Sequence, residues 1–154
     1  MIDRILPLLA AAVLAAHAQE AGALTPPKPD LPYLKHADNL LPTEVAQAQE
    51  QKKKDASTYI IDGAASTAKT PLAMPVFIFA SDKITPESLQ LFRLEVKNGH
   101  REITIGKKSA EPLRLQVTHL SGKVYRIEAY NDLEAGEYSL SPNNSNVAFC
   151  FEVF

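Results

Sequence analysis

The chain of 154 residues predicts an all-β protein, an antiparallel β-sandwich of about seven or eight strands, on three observations. Alternating apolar and polar runs recur roughly every 8 to 12 residues from Ser57 to the last residue, Phe154, fenced by Gly, Pro, Asn and Ser. Two of these runs flank Asn98-Gly99, the dipeptide best suited to a tight hairpin turn between twisted strands. The last two, "GEYSLS" and "NVAFCFEVF", are rich in aromatic and branched residues that fit a pleated, buried surface.

The first 18 residues are expected to be absent from the mature chain. Arg4 ends a short start, Ile5 to Ala16 is an unbroken apolar run, and Ala16-His17-Ala18 offers small residues around a cleavage point. This is a signal peptide with cleavage after Ala18, predicting a secreted or periplasmic product. The run is too short to span a bilayer, which takes about 20 apolar residues, and no Cys follows it for lipid attachment.

Residues 19–37 read as a Pro/Ala-rich linker, because Pro26, Pro27, Pro29 and Pro32 deny the chain a helix or a central strand. Residues 38–56 are expected to pack on the domain that follows. Within them "TEVAQAQEQKKKDA" favours a short helix, with Thr43 as N-cap, Glu44 in the first turn and Lys52 to Lys54 near the end. The alternation of Val45 and Gln47 with Ala46 and Ala48 also fits an edge strand paired with Ser57 to Ile61. The helix is preferred.

The β-sandwich proper is assigned to residues 57–154. "STYIID" and "MPVFIFA" supply its first strands, and Thr85-Pro86-Glu87 predicts a single helical turn with proline at its first position. In the hairpin around Asn98-Gly99, Lys97 faces His100. Val96, Leu94 and Phe92 then share the core face with Arg101, Ile103 and Ile105, while Glu95 and Glu102 meet on the other face. A second hairpin turns at Ser121-Gly122, with Leu115 and Val117 matched to Ile127 and Ala129.

In "DLEAGEYSLSP" the residues Leu133, Gly136, Tyr138 and Leu140 resemble the tyrosine corner of immunoglobulin-like and fibronectin-like β-sandwiches. The resemblance implies an immunoglobulin-like fold in which the Tyr138 hydroxyl returns to upstream backbone. Leu140 stands where such domains place a disulfide cysteine, and the chain has no Trp, so the domain is not of the antibody type. Residues 57–154 also resemble small exported bacterial proteins that end on a similar Gly-Glu-Tyr corner and aromatic strand, a likeness that implies no activity.

The residues offer little chemistry. Sixteen basic and 18 acidic side chains leave a net charge of −2, and neither Lys52 to Lys54 nor Lys107-Lys108 is interleaved with aromatics, so no nucleic-acid partner is expected. Cys150, the single cysteine, forms no intramolecular disulfide and reads as a small buried hydrophobe. His36, His100 and His119 lack metal-ligand spacing, Glu95 and Glu102 are screened by Arg93 and Lys97, and no nucleophile motif is present. No catalytic residue, cofactor or metal is predicted.

These readings point to an exported, non-enzymatic interaction or accessory domain of the cell envelope, binding an unidentified envelope protein or glycan through an edge strand or through the loops Asp62 to Ala73 and Gly106 to Pro112. The alternative is a small exported hydrolase or inhibitor in which His119, Cys150 or acidic groups converge in a pocket.

Overall fold

The computed structural model describes residues 24–107 and 111–154; the signal peptide lies outside the described residues. The fold is an all-β sandwich of two sheets, one of five strands and one of eight.

In chain order the strands are β1 (Tyr33–His36), β2 (Asn39–Pro42), β3 (Glu44–Gln47), β4 (Gln49–Lys52), β5 (Ala56–Asp62), β6 (Lys69–Thr70) and β7 (Val76–Ala80). A 3₁₀ turn at Pro86–Ser88 follows, then β8 (Leu89–Lys97), β9 (His100–Gly106), β10 (Leu115–Ser121), β11 (Val124–Ala129), β12 (Gly136–Pro142) and β13 (Val147–Val153). The smaller sheet runs β10-β11-β7-β1-β2, and the larger runs β3-β13-β12-β8-β9-β5-β4. Pairing is antiparallel except for the short β6, which lies parallel to β13.

Both sheets contribute alternate residues to the core between them. Leu34, Phe77, Phe79 and Ile127 from the smaller sheet meet Leu91, Tyr138, Leu140, Phe149 and Phe151 from the larger one. Phe77 sits edge-on to Phe151 at 4.9 Å between ring centroids, and Tyr138 stacks on Phe151 at 5.5 Å. Burying such aromatic side chains contributes about 2 kcal/mol or more each, with the ring contacts adding to that.

The larger sheet has a second buried face. Its two terminal strands, β3 and β4, are separated in the chain only by Ala48. Residues 44–47 pair with 147–150 of β13, residues 49–52 pair with 57–60 of β5, and the Ala48 N–H donates to Asn146 O at the bend. The sheet therefore curls until both of its edges meet in one strand, as in a barrel. Ala46, Ala48, Ile61, Leu94, Ile103, Ala148 and Cys150 pack together inside the curl.

This arrangement corrects three expectations. Residues 44–52 form strand, not the preferred helix, and 49–52 pair with 57–60 as the edge-strand alternative expected; alternation places Glu44, Ala46 and Ala48 inward, and a sheet closure outweighs the modest helix propensity of alanine and glutamine. Residues 33–37 are not linker, since β1 lies between β7 and β2 with Leu34 1% exposed. The prolines before it are anchored as well. Asp30 accepts backbone N–H bonds from Asp82, Lys83 and Ile84 at 2.9–3.0 Å and donates its own N–H to Ala80 O. The domain thus begins well before residue 57, and the strands contributed by residues 33–52 account for much of the excess over seven or eight.

Turn chemistry sets the register elsewhere. Asn98 and Gly99 both take positive φ, 50° and 78°, as a type I′ turn requires. Val96 pairs with Arg101 and Glu95 with Glu102 across it.

Candidate binding surfaces

Inward-facing side chains change character along the curl of the larger sheet. At one end the inward runs of three strands each carry a charge: Glu44 on β3, Arg101 on β9 and Glu137 on β12. Arg101 is 2% exposed. Its Nη1 lies 2.7 Å from Glu44 Oε2 and donates to Ser66 Oγ, while Nε and Nη2 donate to Gly63 O and Asp62 O. Ser66 in turn donates its N–H and hydroxyl to the two oxygens of the Glu137 carboxylate, at 2.7 and 2.9 Å.

A buried arginine so fully bonded plugs that end and ties the loop after β5 to three strands. Removing one partner of such a pair typically costs about 3–5 kcal/mol, because the other charge stays buried. Of the candidate contact loop Asp62 to Ala73, Ser66, Ala68 and Thr70 are held down at 2% exposed or less, while Leu72 is exposed. Of the other candidate loop, Lys108 to Ala110 lie outside the described residues.

The opposite end of the curl is open. There Tyr59, Phe92 and Ile105 form one wall, Ala48, Ser139 and Ser141 face them, and the turn Asn143 to Asn146 lies at the rim, around a cavity of about 170 Å³. Tyr59 is the ionisable side chain of the lining. Burial, and then the neighbouring Glu50 carboxylate that accepts from its hydroxyl at 3.4 Å, raise its pKa above the ordinary tyrosine value, so the phenol stays neutral.

A different opportunity exists at the edge of the smaller sheet. Among the described residues β10 pairs only with β11. The Tyr130 N–H donates to Arg114 O, and Gln116 and Thr118 follow Arg114 in the same phase of the ladder. The backbone N–H and C=O groups of Leu115, Val117 and His119 therefore point away from β11. Over its seven residues, LQVTHLS, this edge has no proline and no Lys, Arg, Asp or Glu, the devices that ordinarily blunt an exposed edge.

The sequence-predicted structural residues fall in two turns. Tyr138, 1% exposed, donates its hydroxyl to Glu134 O at 2.7 Å. Arg93 holds the same turn from outside, donating to Glu134 Oε2 at 2.7 Å and Ala135 O at 3.3 Å. A Cβ at Gly136 would lie 3.4 Å from the Arg93 guanidinium, while Leu133 and Leu140 are buried in the core between the sheets. Arg93 is thus committed to the Glu134 turn, and Lys97 alone bridges Glu95 and Glu102, at 3.4 Å from each.

Groups invoked for hydrolysis are kept apart. Cys150 is fully buried on β13, and that burial pushes its thiol up to about 12, so no thiolate forms near neutrality. His119 is exposed on β10 with Nε2 2.7 Å from Gly122 O; His36 meets Thr70 Oγ1, and His100 meets Glu102. Among the described residues no three His, Cys, Asp or Glu side chains gather as a metal site, and no helix is long and apolar enough to cross a membrane.

Neither the Arg101 plug nor the open mouth was visible in sequence. Both depend on closing the sheet through residues 44–52, and the available signal was the inward alternation Glu44, Ala46, Ala48. No protein-family model matches the chain, and no curated protein and no solved structure matches it significantly.

Proposed function

We propose that the protein is an exported, non-enzymatic interaction domain of the cell envelope that takes a protein partner by strand addition along β10. The observation that carries this reading is an edge strand of seven residues without charge or proline, backed by a rigid sandwich. An extended partner segment gains main-chain bonds to Leu115, Val117 and His119, with alternate side chains supplying specificity. Export is supported by the apolar run Ile5 to Ala16 ahead of Ala16-His17-Ala18. An immunoglobulin-like corner is supported by the bond from Tyr138 to a carbonyl four residues upstream.

The test is a photo-crosslinker at the exposed Gln116 in the full-length chain, used in the native envelope. The expected result is saturable capture of one protein, lost in His119→Pro, which removes an outward donor but no ladder bond to β11. It is lost likewise in Thr118→Lys, which charges the edge. Capture of glycan alone, or capture unchanged in both variants, overturns the reading. Thermal unfolding of each variant checks that the sandwich persists.

A further inference from the structure

The inside of the curled sheet is unevenly furnished. Strands β5, β8 and β9 turn large side chains inward, Tyr59, Ile61, Phe92, Leu94 and Ile105, whereas residues 44–52, β12 and β13 turn small ones inward, Ala46, Ala48, Ser139, Ser141 and Ala148. At the end plugged by Arg101, Glu44 and Glu137 the long charged side chains make up the difference. At the other end nothing does, and a cavity of about 170 Å³ remains, open to the outside past the turn Asn143 to Asn146.

We propose that this mouth is a binding site for a small neutral molecule with an apolar body, an aromatic or short-alkyl alcohol or amide, independent of the β10 edge. Three properties define the ligand. Volume sets the body: a cavity of about 150 Å³ accepts a benzene ring, so about six to eight heavy atoms fit here. The walls set its polarity, because Phe92, Ile105, Leu94 and Ala148 reward displacement of water by carbon.

The rim sets the head group. Gln90, Ser141, Asn143 and Asn146 supply amides and a hydroxyl but no charge, and Tyr59 remains protonated. A hydroxyl or amide on the ligand finds partners of both kinds there, whereas a carboxylate would be desolvated without a counter-ion and would meet the Glu50 carboxylate beside Tyr59.

The test uses the full chain, labelled with ¹⁵N and titrated with benzyl alcohol and with 1-hexanol, against benzoate as the charged counterpart. Expected are saturable shifts of the amides of Ala48, Ser141 and Asn143 to Asn146, with benzoate at least about tenfold weaker. Ala48→Leu extends a side chain into the mouth and abolishes the shifts; Ser141→Ala, which removes the hydroxyl without adding volume, weakens the alcohols. Absence of saturation, equal binding of benzoate, or binding unchanged in both variants overturns the proposal. None of these outcomes bears on β10, whose amides are expected not to move.

Discussion

Tyr138 and Arg93 hold one turn from two sides, the tyrosine from the core and the arginine from solvent. The phenol is the more telling of the two, because its ring is packed against Phe151 while its hydroxyl reaches Glu134 O. Tyr138→Phe keeps the packing and removes the donor, leaving a carbonyl short of a partner. We expect a loss of about 1 kcal/mol in denaturant unfolding. An unchanged midpoint would show that solvent replaces the bond without cost. The exposed Arg93–Glu134 pair, with side chains 50% and 82% accessible, is worth far less than the length of its contact suggests.

At the scale of elements, the Pro-rich segment before β1 behaves as a clasp. Burial disfavours the Asp30 carboxylate, but the backbone N–H groups of Ile84, Asp82 and Lys83 and the charge of Lys83 outweigh it, so its pKa is lowered. A carboxyl whose folded pKa is depressed stabilises fully above its unfolded value, near 3.9, and loses that contribution as pH falls through the folded value. Asp30→Asn, which tolerates the positive φ of 57°, is expected to cost about 1–2 kcal/mol at neutral pH. Unfolding curves for the two proteins should converge as pH falls through the lowered folded value; a constant gap would place the effect elsewhere.

The same scale shows what could be read in advance. Hairpins held by local turn chemistry, at Asn98-Gly99 and Ser121-Gly122, were legible because a few adjacent residues determine them. Residues 44–52 were legible only in part: the alternation allows an edge strand against Ser57 to Ile61, but the helix is preferred and the pairing with β13 is not foreseen. Their alanines look like helix formers in isolation and become the small wall of a curled sheet only once β13 and β5 lie on either side. Proline likewise misled at 26–32: it excludes helix and ladder, but it does not exclude a segment tied down by one aspartate. The Arg101 plug was hidden for the same reason, since its four elements meet only in three dimensions.

For the whole molecule, the consequence is that residues 33–52 are structural. A chain starting at residue 57 lacks β1 and β2 from the smaller sheet and both closing strands of the larger one. It would expose Phe77 and Phe79 along one sheet edge and the interior around Cys150 along the other. We expect residues 57–154 alone to show no cooperative thermal transition, and residues 24–154 to show one. A cooperative transition in the shorter chain would assign residues 33–52 an accessory place.

Closure also has an order in time. Val45 finds Phe149 across about a hundred residues of chain, and the strand that receives it, β13, also completes the core beneath Tyr138. Until that late segment is available, β3 has no partner and the larger sheet cannot close, although β1 can pair with β7 and β4 with β5. Closure of the larger sheet is thereby tied to the making of β13, so a chain interrupted before Val147 keeps an open edge at each end of that sheet.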